Sequence, residues 1–305
     1  MLALTAAADP PHVALTEVDD PAPLPSEALV AVRAFSLNRG ETKRLATMAP
    51  GTVTGWDVAG VDEQPAADGS GPAAGTRVVG LVNPGAWAQR VAVPTTILAP
   101  LPEAVSFAQA ATLPVAGLTA LHALRVGGLV LGRRVLVTGA TGGVGRFAIQ
   151  LAALSGARVT ALVRDASAAA ALEALGAHEV VTALDGDFDV IVEGVGGAVL
   201  GDAIGHVARN GTIVSFASTT TDETSFPTRI LFGRAPGARL YGLMVFDELA
   251  REASGTGDLV RLATLVAEGR LDCSIEREAG WRDAAAQVQA LVDRTVTGKV
   301  VLHVD

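Results

Sequence analysis

The 305-residue chain has one cysteine, Cys273. It can form no intramolecular disulfide and no thiolate zinc cluster. Cysteine poverty suits a reducing compartment, so a cytoplasmic location is the expectation. Aromatic residues make up 4 %, with one tyrosine, Tyr241, and lysine occurs only at Lys43 and Lys299. There is no basic block, and 32 acidic against 23 basic residues give a net charge of −9. That balance argues against a nucleic-acid partner. Residues 1–20 lack the basic region and apolar core of a secretory signal. The longest apolar run, 104–124, is broken by Gln109, Pro114, Gly117 and His122, and reads as two buried elements joined at Pro114 rather than a membrane span. The five histidines, His12, His122, His178, His206 and His303, show no paired ligand spacing.

What is present is a globular composition, half of it apolar. A chain this long buries about three quarters of its unfolded surface and forms one or two domains. Residues 1 to about 112 carry short β-like runs (Ala28–Phe35, Val58–Val61, Arg77–Val82, Trp87–Val93) between Pro and Gly clusters, which suggests a barrel-like β unit. Asp62–Gly75 reads as a surface loop. From about 115 to 243 strands alternate with helices, the pattern of a parallel sheet covered on both faces. The strands fall at Arg134–Thr138, Arg158–Val163, Glu179–Val181, Val190–Glu193, Gly211–Phe216 and Arg239–Leu243. Residues 244–305 hold two helical patterns and a last strand, Lys299–Val304, which returns to complete the first unit. The expected organisation is therefore 1–114, 115–243 and 244–305, the first and last forming one domain.

The most specific stretch is Arg134–Gly145. A short apolar strand runs into the turn Gly139-Ala140-Thr141-Gly142-Gly143-Val144-Gly145, a helix follows at once, and then another strand. In this βαβ context glycines let the backbone approach a pyrophosphate, and the new helix aims unpaired N–H groups at the anion.

These residues, together with Ser36-Leu37-Asn38-Arg39-Gly40-Glu41, Gly55-Trp56-Asp57-Val58-Ala59-Gly60, Gly75-Thr76-Arg77-Val78-Val79-Gly80, Gly85-Ala86-Trp87-Ala88-Gln89, Leu113-Pro114, Gly117-Leu118-Thr119-Ala120, Val195-Gly196-Gly197 and Gly298-Lys299-Val300-Val301-Leu302, resemble the medium-chain dehydrogenase/reductase superfamily. The likeness is to its zinc-free quinone oxidoreductase branch and spans nearly the whole chain. It implies an α/β protein, with a GroES-like β-barrel substrate domain and a doubly wound Rossmann cofactor domain. Zinc-dependent relatives use a first-domain cysteine and a Gly-His-Glu motif. Here no such cysteine exists and the motif reads Gly55-Trp56-Asp57, so no zinc is expected.

The resemblance implies a nicotinamide cofactor. Gly139, Thr141, Gly142, Gly143, Val144 and Gly145 form the expected pyrophosphate cradle, and Thr119, Val195 and Gly196 match positions near the nicotinamide. Ala217 follows a strand end, where ligands of such sheets lie. Nineteen residues beyond Gly145 stands Arg164, suited to a 2′-phosphate, with Asp165 beside it suited to a free ribose. Arg164 favours NADPH over NADH. Without a Lewis acid, the chemistry points to hydride transfer to a quinone or a carbonyl-conjugated alkene. The alternatives are an enoyl or polyketide-tailoring reductase, or an NADPH-binding sensor without turnover. Asn38 is the candidate substrate or nicotinamide contact, or else fixes a turn. Trp56 either walls a pocket or packs in the barrel, and Arg39, Glu41, Lys43 and Arg44 read as an exposed helical face rather than a charged rim at the cleft. Enoyl reductases of the family often carry a tyrosine after the asparagine motif; here none is present, so no tyrosine acid is expected. The family commonly pairs through the last Rossmann strand, Arg239–Val245, which implies a homodimer.

Overall fold

The computed structural model describes all residues, Met1–Asp305. The chain forms two compact units, one from Met1–Leu118 with Leu249–Asp305 and the other from Thr119–Glu248. Both boundaries lie a few residues C-terminal of those read from the sequence.

The first unit opens with a hairpin, β1 (Leu2–Ala6) and β2 (Val13–Glu17). There follow β3 (Glu27–Leu37), α1 (Arg39–Arg44), β4 (Asp57–Gln64), β5 (Arg77–Leu81), β6 (Arg90–Pro94), β7 (Leu98–Pro100) and α2 (Phe107–Ala111). In β3 the residues Ala28, Val30, Val32 and Ala34 alternate inward, as a strand with one buried face requires. Its last three residues, Phe35 to Leu37, are buried without alternation. Phe35 stacks on Trp87, ring centroids 5.5 Å apart, at the centre of this core.

The second unit contains α3 (Leu118–Gly127), β8 (Arg134–Val137), α4 (Gly143–Leu154), β9 (Arg158–Leu162), α5 (Ala169–Ala174), β10 (Glu179–Val181), β11 (Phe188–Glu193), α6 (Gly197–Gly205), β12 (Val207–Ser215), β13 (Arg239–Gly242) and α7 (Val245–Glu252), the last helix running on into the first unit. The strands pair in parallel in the order β10-β9-β8-β11-β12-β13. Numbered along the chain this is 3-2-1-4-5-6, so the direction of winding reverses between β8 and β11. Val135–Val137 and Val190–Val192 are buried throughout because helices cover both faces. Leu136, Ile191, Ile204 and Ile213 join one apolar cluster, each contributing about 1.5–3 kcal/mol on burial.

The chain returns to the first unit through α8 (Thr256–Ala267), β14 (Ile275–Gly280), α9 (Ala284–Val292) and β15 (Lys299–His303). β15 pairs antiparallel with β3, Val301 opposite Ser36, in a sheet ordered β14-β15-β3-β4-β5-β7 with β6 also on β3. The fold is thus mixed α/β, with a parallel doubly wound sheet and a separate, mostly antiparallel sheet.

Several local expectations are corrected. Asp62 does not begin a surface loop: β4 continues to Gln64 and Asp62 is buried. β6 starts at Arg90, three residues beyond Trp87. The strand expected at Gly211–Phe216 is longer toward its start, and Ala217 lies two residues past its end. At Pro114 the chain makes a π-turn, Leu113–Gly117, leading directly into α3. No helix is long and apolar enough to cross a membrane.

Candidate functional site

The glycine-rich turn closes the β8–α4 connection. Gly139 has φ +58°, a conformation glycine adopts without penalty. Gly142 donates to the Gly139 carbonyl at 2.9 Å and then serves as N-cap, with no side chain to cover the helix start. The first α4 bond runs from Arg146 N–H to Gly142 O, 3.0 Å, so Gly143, Val144 and Gly145 present N–H groups without a helical acceptor. Arg146 Nε donates to Thr141 O at 3.0 Å and braces the turn. A Cβ on Gly145 would fall 2.4 Å from Gly139 O and 2.8 Å from Ala140 Cα, so only glycine lets helix and turn meet this closely. Free donors, a helix N-terminus and backbone without side chains fit a dinucleotide pyrophosphate.

Arg164 stands two residues past β9 with its side chain exposed. Its neighbour Asp165 caps the next short helix and accepts from Ser167 N–H at 2.9 Å. That hydrogen bond holds its carboxyl below the usual range. The sequence leaves two candidates for the ribose; in the structure the carboxylate is engaged locally, while the guanidinium is not held by any such cap.

At the other side of the switch point Gly139 meets Val195, whose Cγ2 is 3.5 Å from the Cβ position of the glycine. The loop after β12 folds onto the same turn, Thr219 N–H donating to Val195 O at 2.8 Å. Gly196 is buried with φ +80°, Val195 half-buried, and Ala217 exposed on the adjoining loop. Thr119, in the first turn of α3, is buried. The structure therefore brings the glycine turn, Val195 and Gly196 together.

A residue that sequence reading passed over ties these parts. Glu193, the last residue of β11, is fully buried. Its Oε1 accepts from Val195 N–H at 2.7 Å, Gly196 N–H at 2.8 Å and Thr138 Oγ1 at 3.2 Å, and its Oε2 accepts from Ser215 Oγ at 3.2 Å. The available signal was a carboxylate ending an otherwise apolar strand.

In the first unit Asn38 occupies a buried polar network. Its Nδ2 donates to Asp57 Oδ2 at 2.7 Å and to Glu41 Oε1 at 3.0 Å, while Lys299 Nζ donates to its Oδ1 at 2.7 Å. Both amide hydrogens are spent inside the protein, which removes them from the substrate or nicotinamide contact expected of this residue. Asp57 also accepts from Ser36 Oγ and from Val115 N–H at 2.8 Å, and lies 3.5 Å from Lys299 Nζ. Glu41 is not on an exposed face: it is buried, and its Oε2 has no partner. Burial, and then the charge of Asp57, push its carboxyl well above the usual range, against the opposing pull of Lys299 and the Asn38 hydrogen bonds. Trp56 packs: Gly40 faces its ring, and its indole N–H donates to Asn83 Oδ1 at 3.0 Å. Burial raises the Cys273 thiol to about 11, so it stays protonated and unreactive near neutrality.

The winding order and the turn define a dinucleotide-fold α/β chain with an added β-sheet unit. Comparison with known proteins narrows this. The profile of the zinc-binding dehydrogenase family matches residues 163–302. The chain is 33 % identical over 303 residues to the spectinabilin polyketide synthase system protein NorB of Streptomyces orinoci, covering 92 % of its own length but only 13 % of NorB. It is 28 % identical over 323 residues to prostaglandin reductase-3 of Bos taurus, covering 93 % of this chain and 84 % of that one. The quinone oxidoreductase of Coxiella burnetii superposes at a TM-score of 0.87 with 28 % identity, over 100 % of this chain and 99 % of that one. A mycobacterial protein complexed with NADPH shares the fold, with a TM-score of 0.87, 23 % identity and coverage of 99 % and 100 %. Together these similarities support the medium-chain dehydrogenase/reductase superfamily, in its quinone oxidoreductase-like branch.

Proposed function

We propose that the protein is a zinc-independent, NADPH-dependent oxidoreductase that transfers hydride to a quinone or another carbonyl-conjugated acceptor. The observation carrying this reading is the glycine turn at the switch point with Arg164 beyond the neighbouring strand and Asp165 committed to Ser167. The N–H groups of Gly143, Val144 and Gly145 hold the pyrophosphate, with Gly139, Thr141 and Gly142 shaping the turn. Arg164 pairs with the 2′-phosphate. Thr119, Val195, Gly196 and Ala217 border the nicotinamide end. When bound, the cofactor supplies the hydride, and the protein contributes orientation and exclusion of water.

Two observations support zinc independence. Trp56 stands at the position of the ligand imidazole, and its indole is a donor only, already bonded to Asn83. Asp57 beside it is taken up by Ser36, Asn38, Val115 and Lys299. This donor set does not suit a zinc ion. Product protonation falls to water or the cofactor ribose, because Tyr241, the lone tyrosine, donates to Glu248 at 2.7 Å. The extended match to NorB favours a second reading within the same chemistry, a polyketide enoyl reductase. We place the protein in the cytoplasm as a homodimer joined through β13, the end strand of its sheet, which light scattering would register as twice the chain mass.

Arg164→Ala tests the cofactor assignment. Loss of a charge-assisted phosphate contact should weaken NADPH binding about tenfold and leave NADH binding unchanged in a fluorescence titration. Equal weakening of both would remove Arg164 from the 2′-phosphate.

A further inference from the structure

Glu193 poses a question of charge. Its carboxylate is fully buried at the C-terminal end of β11, next to the point where the sheet reverses direction. Four donors reach it: the Val195 and Gly196 N–H groups and the Thr138 and Ser215 hydroxyls. Each of the four is neutral. Thr138 also accepts from Gly194 N–H at 3.0 Å, so its proton is turned toward the carboxylate.

The geometry accounts for a hydrogen-bond acceptor here, and an uncharged one would serve. A glutamine in the same pose would keep its oxygen for the two backbone N–H groups and Thr138, and could donate its amide to Ser215 Oγ, a hydroxyl able to accept. Burying a charge without a counterion costs far more than burying an amide. No cationic side chain pairs with this carboxylate, so a positive charge placed near it from outside the folded chain would be attracted to it. The turn it underlies, Val195-Gly196, is the one assigned to the nicotinamide. A nicotinamide ring is neutral when reduced and carries one positive charge when oxidised.

We propose that Glu193 is a positioning residue whose buried charge makes the site favour oxidised over reduced nicotinamide, and so promotes hydride release. The inference rests on the proposed NADPH-dependent function. In the overall reaction bound NADPH would give up a hydride, one proton with two electrons, and its nicotinamide ring would become cationic. The acceptor is reduced by that hydride and takes one further proton from water. Attraction to the fixed carboxylate grows as the ring becomes cationic, while the carboxylate's hold on Val195 and Gly196 is the same in both states.

The test is the dissociation constants of NADP⁺ and NADPH, measured separately by calorimetry for the unmodified protein and for Glu193→Gln, with folding checked by circular dichroism. The expected result is NADP⁺ binding weakened about tenfold and NADPH binding changed less than about twofold. Equal weakening of both forms, or no change in either, would overturn the inference and leave Glu193 a structural clamp. Ser215→Ala keeps the charge and removes one neutral donor, which provides an answer even if the glutamine variant misfolds. Here the preference for NADP⁺ should be maintained or strengthened, and a loss of that preference would contradict the proposal. If the unmodified protein binds neither form, the functional reading itself fails, an outcome distinct from an unaltered ratio.

Discussion

Gly145→Ala should lower NADPH affinity at least a hundredfold, equivalent to about 2.7 kcal/mol. The added methyl would lie 2.4 Å from Gly139 O, 2.8 Å from Ala140 Cα and 2.9 Å from Ala140 O. All three atoms are backbone of the turn itself, so no side-chain rotation can relieve the overlap. Helix α4 must withdraw from the end of β8, carrying with it the N–H groups of Gly143 and Val144. Overpacking of this kind also costs about 1–3 kcal/mol of stability. Gly205→Ala, at the end of α6, is the control: a methyl group there meets nothing within 4 Å and lies away from the turn. Calorimetric titration of the two variants should separate them clearly. Equal affinities would mean that the close approach at Gly145 does not shape the site.

Lys299→Met should destabilise the protein by about 3–5 kcal/mol, because it strands Asp57 as a buried carboxylate with no cation. Lys299 also donates to Asn38 and to the Leu37 carbonyl, so the loss reaches the end of β3. Denaturant unfolding measures the change. A loss below about 1 kcal/mol would show that the network does not need its charge. Glu41→Gln should act differently. The folded chain holds the Glu41 proton more tightly than the unfolded chain does, since burial and Asp57 raise its carboxyl. That proton favours folding fully below the unfolded value, and the advantage is lost as pH rises through the folded one. The glutamine variant lacks this titration, so from the ordinary glutamate range upward its melting temperature should fall less with pH than that of the unmodified protein. Parallel melting curves across that range would place the Glu41 titration elsewhere.

The two networks show what the sequence could and could not reveal. β8, the turn and β9 are legible because all their signals are local: an apolar strand, glycines at fixed spacing, and a helix directly after. The position of Arg164 just past β9 is legible for the same reason. Asp62 is not, since it sits at the edge of a Pro-, Gly- and Asp-rich segment yet belongs to β4. Glu41 is hidden because α1 has six residues, too few for a helical period to separate a buried face from an exposed one. β14 is missed because most of its residues are exposed and polar, so it lacks the alternation that marks a half-buried strand. Asn38 meets Lys299 from 261 positions away, and Glu193 meets Thr138 from 55. Such partners exist only once β15 returns to β3 and β8 lies beside β11. Motifs point to a ligand class, but the roles of the buried charges arise from tertiary pairing.

Hydride transfer from NADPH without zinc is tested by following NADPH oxidation by the purified, chelator-treated protein against a panel of quinones and enones, with NADH in parallel. Acceptor-dependent oxidation that prefers NADPH and is unaffected by the chelator is the predicted result. Tight NADPH binding with no turnover on any acceptor, or turnover abolished by the chelator and restored by zinc, would contradict it.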